Sequence, residues 1–287
     1  MLVAQWGYIA KQIVKSFSIS QNLNITQQLH AGIRLFDIRL SILNSDIHLY
    51  HRLYGKKFVQ ALKDMNSFLD ANEKEVIFVG INRRLDFSDK NMTNLADLIT
   101  TTFGDKLFPP HKGKGVEVSL NDVWAAKKQV LVFFDVAGNY SFWPLDSLHS
   151  PWFNVITSDN LIAHLDEQFA MNIDNKINVF QAILSPDITF LQHNMFGSLM
   201  NLATVGNKAV ADWLDGIYND RLKPIVTRRN MTVLWTDFVG DSNNVPSKVI
   251  RLNELKRDRG RVSGSLENNL SWLLNVSVLV CLLILNN

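Results

Sequence analysis

The chain has 287 residues, 47% of them hydrophobic, and a formal net charge of +2. That length and apolar content suit one barrel-sized domain with a large core, and the near-balanced charge leaves no basic footprint for nucleic acid. The single cysteine, Cys281, excludes an intrachain disulfide and any cysteine-based metal site.

Residues 4–17, AQWGYIAKQIVKSF, read as helix and are followed by a turn. Between Gly32 and His51 the chain runs GIRLFDIRLSILNSDIHLYH, which contains two strand candidates, 33–40 and 46–51. Residues two apart share a strand face, so Asp37 and Arg39 point the same way, with Ile33 and Leu35 before them. The second strand ends by presenting His51. Phe58, Leu62, Met65 and Leu69 have helical spacing within 57–70. A strand is expected at 75–82, and a polar, turn-rich loop at 105–118 holds His111 as part of a solvated connection. After a strand at 128–135, Ser158 and Asp159 open a helix. A strand at 177–184, a helix over 197–218 and a strand at 231–239 complete the pattern.

This alternation predicts an α/β fold, a TIM-type (β/α) barrel, with its chemistry at the carboxyl ends of the strands. Asp37, Arg39, His51, Asn82, Asp135 and Asp237 all fall at or near such ends. Taken singly, an Asp-x-Arg pair is often a structural ion pair and a strand-end His is often a surface residue. Together they equip a site for a phosphodiester, with guanidinium to hold the phosphate and imidazole to move the proton.

Leu29, GIR at 32–34, FDIR at 36–39, the LYH ending at His51, Phe68-Leu69 and EVIFVGIN at 75–82 form an ordered series. QAILSP at 181–186 and TDFVGD at 236–241 continue it. The series resembles the X-domain of phosphatidylinositol-specific phospholipases C, in the small metal-independent branch that includes bacterial enzymes and animal X-domain-containing proteins. It spans residues 5–245. The resemblance implies that an inositol hydroxyl attacks the adjacent phosphorus and expels diacylglycerol. It makes Arg39 the phosphate-binding arginine, Asp37 its Asp-x-Arg partner and His51 the general acid. It makes Asp237 the carboxylate that pairs with a first catalytic His, and it places Asn82 against the inositol. Arg39 stands where the calcium-dependent branch holds its ion, so no metal and no other cofactor is expected. The implied partners are an inositol phospholipid head group and a membrane surface.

Two departures stand out. The family's first catalytic His, in a Thr-His-Asn/Asp-Ser motif, should precede the GIR block, yet no His comes before His30. His30 reads as a helix-end residue, so the barrel is expected to be incomplete at its first strand. Arg52 follows His51 where the family usually has Gly, and would crowd a phosphate pocket.

The expected division is a barrel domain over 1–250, a polar basic linker over 251–269 and an apolar tail over 270–285. The tail, LSWLLNVSVLVCLLIL, is short for a membrane-spanning helix, which needs about twenty residues. Ser263-Gly264-Ser265 upstream resembles the small-residue site of a GPI signal, and Asn24, Asn91, Asn139 and Asn230 begin glycosylation sequons. Membrane association is therefore expected, by GPI anchor at the extracellular surface or by a tail anchor facing the cytosol. The function expected is a phosphoric diester hydrolase or lyase acting on phosphatidylinositol-type lipids, inactive in this chain if the first His is absent. The alternative is a non-catalytic member binding phosphoinositide or protein. A glycerophosphodiester phosphodiesterase is disfavoured, because Leu53 follows His51-Arg52 and no Glu-x-Asp metal pair is present.

Overall fold

The computed structural model describes residues 10–110, 118, 120–171, 173, 175–217, 232–262 and 277–281. Helix α1 covers 10–16 and is followed by α2 (Ile25–His30). Asn24 caps α2 by accepting from Gln27 N, and Gln27 answers with its side chain on Asn24 N, a reciprocal capping box. Strands β1 (Ile33–Leu43), β2 (Asp46–His51) and β3 (Leu53–Lys57) come next, then α3 (Phe58–Ala71), β4 (Ile77–Leu85) and α4 (Asp89–Phe103). The chain continues through α5 (Leu120–Ala125), β5 (Val130–Phe133), β6 (Leu148–His149), α6 (Ser158–Ala170), β7 (Ile177–Gln181), α7 (Ile188–His193) and α8 (Leu199–Gly216). It ends in β8 (Thr232–Thr236), α9 (Val245–Val262) and β9 (Ser277–Cys281).

The parallel strands run β5-β4-β1-β9-β8-β7-β6, and β2 and β3 extend β1 as an antiparallel meander. Among the described residues no ladder joins β5 to β6, so the barrel is open there. Two cores follow from strand alternation. Leu35, Phe78, Leu131, Phe133, Val179, Val233 and Trp235 fill the barrel interior. Phe36, Ile38, Leu40, Val79 and Phe180 face outward against the helices, where α3 supplies Phe58, Leu62, Met65 and Leu69. Leu35, Asp37 and Arg39 thus share the inner face as expected. Ile33 instead joins the outer core, because the register between β1 and β9 shifts between Ile33 and Leu35.

Gly32, the first residue of the GIR block, has φ +95, and a Cβ there would stand 2.9 Å from Ile250 of α9. Only glycine satisfies both the left-handed turn and that close approach. The cap of α6 is Thr157, one residue earlier than expected; its side chain accepts from Asn160 N.

The C-terminal region departs most from expectation. Helix α9 runs through the anticipated boundary at 250 and occupies the first half of the supposed linker. Beyond it, Ser277–Cys281 of the apolar tail forms β9, parallel to β1 on one side and β8 on the other. The unit β8-α9-β9 is an ordinary parallel crossover, and it fills the position between β1 and β8 that was expected to lack a strand. No helix among the described residues is long and apolar enough to cross a membrane.

Candidate active site

The carboxyl ends of β1, β2, β4, β7 and β8 surround a cleft of 640 Å³. Arg39 from β1, His51 from β2 and Asp237 just past β8 line it together. Arg39 Nε donates to Asp37 Oδ2 at 3.4 Å, and the arginine and aspartate side chains are largely buried. Asp37 and Asn82 line a second, adjoining cavity of 160 Å³, and Trp235 borders both spaces. The five residues singled out from the sequence therefore converge on one end of the barrel, three in the main cleft and two beside it. Asp135 is placed elsewhere, accepting from Leu145 N through Oδ1 at 3.0 Å. His30 ends α2 edge-on to Phe68, and His111 lies outside the described residues.

His51 Nδ1 lies 2.9 Å from the carbonyl oxygen of Ser18. A carbonyl only accepts, so Nδ1 carries the proton and Nε2 presents a lone pair. Burial lowers the imidazole pKa from 6.5 to about 4; the Ser18 bond opposes this, while Arg39, Arg52 and Arg83 push the same way as burial. His51 is therefore neutral at pH 7. Asp237 moves the other way: burial raises it from 3.8 to about 7, against the pull of Arg39. Two groups facing one cleft have environments that drive their pKa values apart, a pattern that sorts proton acceptor from proton donor.

The segment before the GIR block carries part of this arrangement. Beyond supplying the Ser18 carbonyl, it accepts from Phe238 N through Ser20 O at 2.8 Å. Gln21 accepts from Val239 N and donates to Thr236 O. One short stretch thus ties His51 to the end of β8. Sequence reasoning missed it because half of these contacts are made by backbone carbonyls and the rest by one glutamine to backbone more than 200 residues away.

Arg52 has φ +64 and Phe238 φ +48. Each follows a cleft residue, His51 or Asp237, and each holds a non-glycine side chain in the left-handed region at a cost of about 1–2 kcal/mol. Such strain concentrates at functional sites. It also explains why glycine suits the position after the histidine. Arg83 and Arg84 line the cleft as well; Arg83 is the register partner of Arg39 on β4. Arg84 is committed locally, donating to Ile81 O and lying over the Phe134 ring, 5.2 Å from its centroid. No group of three or more His, Cys, Asp and Glu side chains suited to a metal occurs among the described residues.

The sequence model for the X domain of phosphatidylinositol-specific phospholipase C matches residues 8–134. The mouse PI-PLC X domain-containing protein 2 is 30% identical over 260 residues, covering 88% of this chain and 74% of that protein. The chain belongs to the PI-PLC X domain-containing family. The human PI-PLC X domain-containing protein 3 is 27% identical, with 88% of this chain and 78% of that protein covered. Among solved structures, the phosphatidylinositol-specific phospholipase C of Listeria monocytogenes superposes with a TM-score of 0.65 at 18% identity, over 85% of this chain and 87% of that one. That likeness is one of fold, a PI-PLC type TIM-like barrel.

Proposed function

We propose that this X-domain protein is a phosphoric diester hydrolase or lyase acting on phosphatidylinositol-type phospholipids. The observation that carries the reading is the meeting of Arg39, His51 and Asp237 in one cleft with their proton affinities driven apart. Arg39 binds and neutralises the phosphodiester. Its planar fork takes the place of a metal, so turnover needs no cation. Asp37 orients Arg39, and Asn82 contacts the inositol ring from the adjoining cavity. His51, neutral through Nε2, accepts the proton of the attacking inositol hydroxyl and then returns one to the departing glycerol oxygen, which is its general-acid step. Asp237, protonated near neutrality, is the second proton carrier.

A membrane surface is the proposed partner. The cleft mouth is bordered by Trp152, 52% exposed, and by the segment from Pro186 to Leu199, within which Ile188 is 70% and Phe196 91% exposed. Apolar side chains beside arginines suit an anionic lipid surface. Anchorage through residues 270–285, by GPI or as a tail anchor, would require β9 to leave the sheet, since a segment paired to β1 and β8 cannot also lie in a bilayer.

One observation favours a second reading, binding without turnover: His51 is the sole imidazole lining the cleft among the described residues. Release of inositol phosphate from phosphatidylinositol vesicles in the presence of a chelator decides between the two. The catalytic reading predicts turnover that falls about 10²–10⁴-fold in His51→Ala and is impaired in Arg39→Lys. Vesicle binding with no product in the wild type establishes the binding reading.

A further inference from the structure

The cleft carries more positive charge than one phosphodiester uses. Arg39, Arg52, Arg83 and Arg84 all line it, and among its described lining residues the one carboxyl group is Asp237, whose pKa burial raises to about 7. Two of the four arginines are already engaged. Arg39 donates to Asp37, and Arg84 donates to Ile81 O and lies over the Phe134 ring. Arg52 and Arg83 differ: both are exposed, and among the described residues neither has an ion pair or a side-chain hydrogen bond. Arg83 is the register partner of Arg39 on the neighbouring strand, which puts their backbones about 5 Å apart. Arg52 directly follows His51, the last residue of β2. Arg39, Arg52 and Arg83 all act on the His51 imidazole, each disfavouring its charged form.

An arginine on an open surface is ordinarily just solvated. Here three guanidinium groups converge on one concave space, and an entering anion relieves their mutual repulsion. A phosphodiester brings one negative charge, which the planar fork of Arg39 takes. A phosphomonoester adds about −1.5 to −2 at neutral pH and three acceptor oxygens, enough for two further guanidinium groups. The cleft volume of 640 Å³ lies within the range of about 300–1,000 Å³ typical of ligand pockets, so a ring bearing more than one phosphate has room. Arg52 moreover holds a left-handed backbone, φ +64, that glycine would adopt without strain. A ligand for its side chain accounts for that residue at that position. We propose that Arg52 and Arg83 form a second anion subsite, which takes a phosphomonoester carried on the inositol ring. The proposal rests on the phosphoinositide reading above and narrows its substrate class to ring-phosphorylated head groups. Arg39 is then the reader of the diester, and Arg52 and Arg83 are specificity-determining residues for the ring.

The test is calorimetric binding of soluble head groups to the full chain, with no membrane present, so attraction to an anionic surface plays no part. The probes are myo-inositol 1-phosphate and myo-inositol 1,4,5-trisphosphate, with inorganic phosphate as the free anion. The trisphosphate should bind at least about tenfold more tightly than the monophosphate, through charge-assisted hydrogen bonds to the two arginines. Arg52→Gly and Arg83→Gln should each weaken the trisphosphate about tenfold and the monophosphate less than about threefold. Lys56→Gln, at an exposed lysine of β3 outside the cleft, should leave the preference intact. A preference that survives both arginine variants, or that Lys56→Gln reduces equally, would overturn the proposal, because long-range charge would then explain it. Inorganic phosphate binding beside the monophosphate, with no preference for the trisphosphate, would overturn it too, since the arginines then serve a free anion. Equal affinity for the two inositol phosphates, with the His51 signals shifted by both, sinks the proposal and leaves the phosphoinositide reading standing. If neither inositol phosphate binds, that reading falls and the proposal with it. The wild-type comparison decides the matter even if a variant does not fold.

Discussion

Asp237→Asn isolates the electrostatic cost of the cleft. Raising a buried carboxyl from 3.8 to about 7 corresponds to on the order of 4 kcal/mol, at about 1.36 kcal/mol per tenfold change in proton affinity. Because the folded-state pKa is raised, folding is unpenalised at low pH and loses stability as pH climbs from about 4 toward 7. His51 acts in the opposite sense. Its folded pKa, lowered from 6.5 to about 4, makes stability fall by on the order of 3 kcal/mol as pH drops through that interval. Between about pH 4 and 6.5 the two effects nearly cancel, because folding in effect takes a proton from His51 and gives one to Asp237. The wild type should therefore show a nearly flat stability profile across that interval. Asp237→Asn keeps the shape and removes only the ionisable group. The variant should be more stable than wild type at pH 7.5, by a few kcal/mol, and its stability should rise steeply from pH 4 to 6.5 as His51 alone is left. Denaturant unfolding across pH 4 to 8 measures both curves. A variant less stable than wild type at pH 7.5, or one with a flat profile, would refute the reasoning.

Other outcomes follow from single features of the structure. Arg52→Gly removes a side chain from a left-handed position and should stabilise by about 1 kcal/mol, raising the melting temperature by roughly 2–4 °C; an unchanged or lower value would show that no strain is held there. Val280→Pro removes a backbone donor from β9 and should speed hydrogen exchange in β1 and β8 while sparing β5, since β9 pairs with the first two alone. If residues 270–285 serve only as an anchor, that substitution should leave β1 and β8 exchange unchanged. Replacing Phe196 and Ile188 by Ala should weaken partition onto phosphatidylinositol vesicles by about tenfold or more, given about 1.5–3 kcal/mol per large apolar side chain transferred, without changing affinity for soluble inositol 1-phosphate.

Much of the barrel is legible from periodicity alone. The inner face of β1, the apolar stripe of α3 and the buried run of β4 declare themselves because a side chain's partner there is simply the core. The site is legible to the extent that it consists of side chains at strand ends, which is why Asp37, Arg39, His51, Asn82 and Asp237 fall together. What escapes is set by backbone and by distant pairing. Nothing in SFSISQ indicates that the Ser18 carbonyl orients His51. The strand LYGKK is too short and polar to show its pairing with β2. Ile33 changes face because of a register shift against a segment more than 240 residues away in sequence. The tail reads as an anchor because an apolar run of sixteen residues carries no mark of which apolar environment receives it.

The titration of His51 tests the account most directly, through its imidazole NMR signals in the full chain with and without myo-inositol 1-phosphate. The account predicts a free pKa near 4 that rises when the ligand's phosphate enters beside Arg39 and replaces positive charge by negative. An ordinary value near 6.5 that ignores the ligand would contradict it, because His51 would then neither be buried against the Ser18 carbonyl nor share a phosphate site with Arg39.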